Sequence, residues 1–323
     1  MTHSDKAGAA SKVVAAAQNL RLKFPGEDTL VFQGLSFSVR QGEKVLLLGP
    51  SGSGKSTLLQ VLSGIIPRAV EVPMKADELM LPLQPGLVFQ DPDTQFCMPY
   101  VDEEIAFVLE NLEVPREQMP ALIKHYLEQV GLHLEQVHTP IQQLSQGMKQ
   151  RLAIASILAL MPDVLMLDEP TALLDEEGTK QVWDTIRTIA SEKTVLIVEH
   201  KITGILDFID RIVVFSPDGK IIADGQPEQI FRDYRRELME YGIWYPGVWD
   251  DFAEWYKEHA GLPAFEREHQ ADQANVELSG VIQTGEANVE PPGAVQTDQA
   301  NDDSPGAVQT DQANVEPPGA VQT

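Results

Sequence analysis

Near the start of the chain, LRLKF (20–24), LVFQGLSFSV (30–39) and KVLLLG (44–49) are short, rich in apolar residues, and separated by Gly-containing turns. Such runs predict strands. The period then lengthens: STLLQVLSGII (56–66) repeats its apolar positions as one face of a helix. Short β-like pieces follow, ending at GLVFQ (86–90), and residues 102–161 return to helical spacing. Next comes DVLMLDEP (163–170), an apolar strand that closes on two carboxylates. A helix over 176–190, a strand TVLIVEH (194–200) and a further helix complete a β–α alternation. This alternation predicts a mainly parallel sheet flanked by helices. RIVVFSPDGKIIADG (211–225) predicts a hairpin turning at Pro-Asp-Gly.

The pattern weakens beyond about Phe231. Residues 233–265 are charged and aromatic, with Trp244, Trp249 and Trp255, and predict a small helical C-terminal extension. From 266 to 323 the chain changes character, and from 276 it repeats every 13 residues, as in VEPPGAVQTDQAN (289–301) and DDSPGAVQTDQAN (302–314). These repeats are rich in Pro, Gly, Gln and acids, too poor in large apolar residues to bury a core, and predict an acidic disordered tail. Residues 1–17 are expected to be an N-terminal extension before a domain over 18–232, whose helical subdomain covers about 99–161.

Composition narrows the partners. The 323 residues carry a net charge of −25, which repels phosphate backbones, so no nucleic acid is expected. A single cysteine, Cys97, cannot form an internal disulfide and fits a reducing compartment. No signal peptide is expected, and the apolar run LAIASILALM (152–161) is too short to span a bilayer. Any membrane crossing is expected from another chain.

GPSGSGKST (49–57) matches the phosphate-loop pattern G-x-x-x-x-G-K-[ST] between a predicted strand and a helix. Gly49, Gly52 and Gly54 let the loop, which also holds Pro50, Ser51 and Ser53, turn its available backbone N–H groups inward, beside the positive end of the following helix. Lys55 is placed to reach the β- and γ-phosphates of ATP, the Ser56 hydroxyl to ligate Mg²⁺, and Thr57 to complete the loop. Asp168, at the end of a buried strand, suits the Mg²⁺ shell, and Glu169 suits the polarising of an attacking water. His200 and Gln90 also end strands, where a parallel sheet opens its ligand crevice. There His200 is a donor to the γ-phosphate, and Gln90 touches Mg²⁺ or the water. Phe24 is a candidate to stack on the base, or else an ordinary core ring. LSQGMKQR (144–151) begins with a Ser suited to capping a helix.

Taken together, GPSGSGKST, Gln90, LSQGMKQR, LMLDEPTALLD and His200 resemble, in order and spacing, the ATP-binding-cassette (ABC) ATPases over about residues 18–232. Within them FQDPDTQF, VDEEIAFVLENL and VEHK are similar to the ATPases of energy-coupling-factor importers, which take up vitamins and transition metals. The resemblance implies an α/β P-loop NTPase of ABC type, with an antiparallel β part and a helical subdomain. It implies a peripheral ATPase on the cytoplasmic face of the membrane, bound to integral membrane transport subunits and to a second ABC ATPase subunit. Ser145, Gln146 and Gly147 then form a signature serving the partner's ATP in trans, with Asp175 in the loop at the dimer interface and Gln90 near the membrane partner. The family signature is L-S-G-G-Q, so Gln146 and Met148 depart from it. The β part is expected to be reduced, since 65–85 is irregular. A soluble ABC ATPase acting on nucleic acid or ribosomes, and an ATP-dependent scaffold, are the competing expectations.

Overall fold

The computed structural model describes residues 12–248, apart from Thr203, Trp244 and Pro246. The chain begins with β1 (Val13–Leu22), β2 (Phe32–Arg40) and β3 (Lys44–Leu48), then α1 (Lys55–Leu62) and a single turn α2 (Ile65–Arg68). Short strands β4 (Met74–Lys75), β5 (Glu78–Met80) and β6 (Pro85–Val88) lead to three helices, α3 (Val101–Asn111), α4 (Met119–Gln129) and α5 (Gln146–Ala159). Then come β7 (Val164–Asp168), α6 (Glu176–Ile189), β8 (Thr194–Val198), β9 (Arg211–Phe215), β10 (Ile221–Gly225), α7 (Pro227–Asp233) and α8 (Arg235–Glu240).

Among the described residues the strands form two sheets. One is antiparallel: β2, β1 and β4 lie in that order, and β5 also pairs with β1. The other runs β10-β9-β3-β8-β7-β6, parallel except for the β9–β10 hairpin. Its inner strands β3, β8 and β7 are Leu-, Ile- and Val-rich runs, polar only at their ends, because both faces are covered. Alternation still sorts the side chains. Leu46, Leu165, Leu167, Val195 and Ile197 join a core with the helices α3–α6. Val45, Leu47, Val164, Met166, Leu196 and Val198 pack with α1 and the antiparallel sheet. Period two therefore assigns each strand to two cores at once.

Several boundaries move. The expected extension over 1–17 is shorter, because β1 starts at Val13, pairs with β2 and buries Ala15 and Ala17 completely. Alanine has low strand propensity and masks the pattern; burial against β2 overrides it. The expected strand over 194–200 stops at Val198, so Glu199 and His200 lie beyond the ladder. The helix expected to run to 66 ends at Leu62, before Gly64 with φ +80°. Residues 227–240 carry α7 and α8; the rest of the expected helical extension past 248, and the repeats, lie outside the described residues.

Candidate functional site

The loop between β3 and α1 takes its shape from glycine. Gly54 caps α1 in the left-handed region (φ +91°), and Gly52 has φ +78°. Side chains rarely adopt this region. A Cβ at Gly54 would stand 2.8 Å from Phe32 Cε1 and one at Gly49 2.8 Å from Phe215 Cβ. The loop is thus pressed between β2 and the end of β9. At its centre the buried Lys55 Nζ donates to Gly49 O (2.7 Å) and Pro50 O (2.9 Å), with Ser53 Oγ at 3.4 Å. Ser56 Oγ donates to Asp168 Oδ1 at 2.8 Å. This joins the first residues of α1 to the last residue of β7.

An open cleft of about 1150 Å³ lies over this loop. It is lined by Ser51, Gly52, Gly54, Lys55, Ser56 and Thr57 of the loop and the start of α1, together with Gln90, Glu169, His200 and Phe24. Glu169 Oε2 accepts a hydrogen bond from Gln90 Nε2 (3.0 Å), and its Oε1 lies 3.2 Å from His200 Nε2. The bond from His200 holds the Glu169 carboxyl below the ordinary carboxylate range. In return, Glu169 raises the imidazole pKa, favouring the imidazolium donor. Asp168 moves the other way: burial raises it, against the Ser56 hydroxyl that stabilises its charge.

The donor set fits Mg²⁺ bound with a polyphosphate. Ser56 and Asp168 offer adjacent hard oxygens, and Gln90 offers an amide, while Mg²⁺ usually takes one or two carboxylates and substrate phosphates. The loop also fits the anion, since a lysine and a helix N-terminus face a glycine-built concavity. Ser145, Gln146, Gly147 and Asp175, in contrast, do not line this cleft. Ser145 Oγ caps α5 by accepting Met148 N–H (3.3 Å), and Asp175 Oδ1 caps α6 by accepting Gly178 N–H (2.8 Å). The two helix starts adjoin: a Cβ at Gly147 would be 3.9 Å from Gly178 Cα and from Leu174 Cδ2.

With this geometry in view, comparisons with known proteins are specific. The family described as ABC transporter matches residues 32–172. The energy-coupling factor transporter ATP-binding protein EcfA1 of Ligilactobacillus salivarius is 37% identical over 235 residues, which are 70% of this chain and 82% of that protein. The chain belongs to the ABC-transporter ATP-binding family. These are the ATPases that power transporters. A Bacillus subtilis protein provisionally named HMP/thiamine import ATP-binding protein YkoD is 37% identical over 248 residues, 72% of this chain. The chain spans 45% of YkoD, under half its length. The solved structure of cbiO1 from Clostridium perfringens, described as part of the ABC transporter complex cbiONQ, has 28% identity and a TM-score of 0.57, covering 70% of this chain and 94% of that one.

Two features of this ABC cassette were not read from its sequence. Glu169 has φ +46°, a left-handed backbone uncommon outside glycine. Such strain is held only where the surroundings over-determine it. Here the Glu169 N–H donates to Val198 O (2.9 Å), and both carboxylate oxygens are engaged. Secondly, Glu199 is 2% exposed, an ionisable side chain inside the wall of the cleft. Its only sequence signal is an acid directly before His200, which strand periodicity does not distinguish from a solvated strand end.

Proposed function

We propose that this chain hydrolyses MgATP as the ATPase subunit of an energy-coupling-factor-type importer of a vitamin or metal ion. The observation that carries the reading is the meeting of Glu169 with both Gln90 and His200 beside Lys55 and the phosphate loop. A nucleotide binder needs the loop and the lysine; an acid held between an amide and an imidazole beyond them suits hydrolysis. The loop N–H groups and Lys55 bind the β- and γ-phosphates, and Phe24 stacks on the base. Ser56 and Asp168, with Gln90, hold Mg²⁺, which supplies charge neutralisation on the phosphates. Glu169 orients the attacking water, and His200 donates towards the γ-phosphate. Most of the rate comes from positioning and electrostatics.

Ser145, Gln146 and Gly147 serve ATP held by a second ABC ATPase subunit, and Asp175 lies at that interface. Their absence from their own chain's cleft and the pairing of the α5 and α6 starts support a site used in trans. The importer reading draws on the names of the relatives EcfA1 and YkoD and on the complex that contains cbiO1. Among the described residues no helix is long and apolar enough to cross a membrane. Integral membrane subunits do the crossing, and this chain sits on their cytoplasmic side.

Equilibrium ATP binding and steady-state hydrolysis test the assignment. Lys55→Ala should weaken binding, whereas Glu169→Gln should keep binding and lower turnover by about 10²–10³-fold, the scale for losing one transition-state group. Undiminished hydrolysis by Glu169→Gln would refute the role of Glu169. Purification from membranes with identification of co-purifying chains tests the transporter; recovery on ribosomes or nucleic acid would favour a soluble ABC ATPase.

A further inference from the structure

We propose that Glu199, braced by Thr171, is a positioning residue that sets His200 against Glu169. Glu199 is the first residue beyond β8, and both of its oxygens are committed. Oε1 accepts the N–H groups of His200 (2.9 Å) and Lys201 (3.1 Å), and Oε2 accepts the Thr171 hydroxyl at 2.7 Å. Thr171 is fully buried and lies two residues after Glu169, in the turn that follows β7. One carboxylate therefore ties together the turn after β7 and the turn after β8.

Those turns carry the two side chains whose separation matters. The β7–β8 ladder ends at the pair Asp168 and Val198, and the Glu169 N–H to Val198 O bond is its last main-chain link. Beyond that point strand pairing no longer sets how His200 meets Glu169. The Glu199 clamp takes over: it bonds the backbone N–H of His200 directly and holds the Glu169 turn through Thr171. An acid is a costly choice for this place, because burial disfavours its charge and raises its pKa. A valine or leucine would fill the volume but leave the part-buried N–H groups of His200 and Lys201, and the buried Thr171 hydroxyl, without this acceptor. The three bonds Glu199 receives run to backbone and to Thr171, not to either ring nitrogen of His200, so its main part is geometric, and its charge adds only a minor pull that favours the imidazolium.

This inference rests on the hydrolytic reading above, so its test carries one readout independent of activity. In the full-length chain, single-turnover hydrolysis is measured with ATP affinity for Thr171→Val, Thr171→Ser, Glu199→Ala and Glu199→Gln. A displacement of about 1 Å in a reacting group costs on the order of 10²-fold in rate. Thr171→Val and Glu199→Ala should therefore lose about 100-fold in single-turnover rate with ATP affinity little changed. Thr171→Ser keeps the hydroxyl, and the amide of Glu199→Gln can accept both N–H groups and donate to Thr171; each should restore most of the rate. ¹⁵N-histidine NMR at fixed pH, with the His200 signal assigned through His200→Gln, should show the ring losing its Glu169 bond in Thr171→Val and keeping it in Thr171→Ser.

Glu199→Gln as slow as Glu199→Ala would overturn the brace in favour of a role for the charge. An unchanged rate and an unchanged His200 signal in Thr171→Val would overturn it outright. If Glu199→Ala fails to fold, the Thr171 pair decides. An unaltered chain that does not turn over would refute the hydrolytic reading, and the NMR comparison would then decide the brace alone.

Discussion

Gly54→Ala puts a single methyl group where the loop geometry is tightest. The residue has φ +91° and ψ +7°, which costs a side-chain-bearing residue about 1–2 kcal/mol. Its Cβ would also stand 2.8 Å from Phe32 Cε1 and 2.9 Å from Val31 Cγ1. Phe32 is fully buried and cannot swing aside, so overpacking adds about 1–3 kcal/mol. Together these predict a loss of about 2–5 kcal/mol, or a Tm drop of roughly 5–15 °C for a domain of this size. The perturbation also acts on the site, because Lys55 follows directly and its ammonium is held by Gly49 O and Pro50 O. ATP binding by the variant, measured at a temperature where it is folded, should weaken along with the Tm. The assay is differential scanning calorimetry with and without MgATP, and the nucleotide-induced rise in Tm should shrink. A Tm within about 2 °C of the unaltered chain, corresponding to under about 1 kcal/mol, would refute the claim that this cap requires glycine.

Two further outcomes follow from the same geometry. Glu104 is buried on α3, and its Oε2 accepts the N–H groups of both Cys97 and Met98 at 2.9 Å; desolvation raises its pKa in the folded chain. A carboxyl raised on folding favours the folded state in acid and loses that contribution as pH rises through the folded pKa, so Glu104→Gln should help most near neutral pH. Its Tm advantage over the unaltered chain should decline as pH falls towards about 4.3, the unfolded value; a pH-independent difference would show that burial does not disfavour this charge. On the proposed trans arrangement, mixing Lys55→Ala with Ser145→Arg should recover part of the hydrolysis that each lacks alone, since a mixed dimer would contain one intact loop facing one intact signature. A chain that stays monomeric with ATP and still turns over at full rate would return Ser145 to being only the cap of α5.

Local pattern determined much of this protein. The continuous apolar runs of β3, β7 and β8 specify a sheet buried on both faces, and the Gly-rich loop before α1 announces a phosphate site. Asp168 closes β7, Glu169 follows it, and His200 lies just beyond β8. Parallel strands open their ligand crevice at these C-terminal ends, which made Gln90, Glu169 and His200 legible as members of one crevice. Their joining belongs to the tertiary structure: Gln90 and Glu169 are 79 residues apart, Glu169 and His200 31, and only the β6-β7-β8 order makes them neighbours. The left-handed turn at Glu169 was not legible, because glutamate has no intrinsic preference for it and long-range bonds impose it. The start of β1 at Val13 was missed for a related reason, since alanines gain their strand only by burial against β2. Glu199 shows the difference most plainly. In the chain it is one acid beside a histidine; once folded, burial leaves its carboxylate to be satisfied by Thr171, His200 and Lys201, and that requirement ties the two turns together.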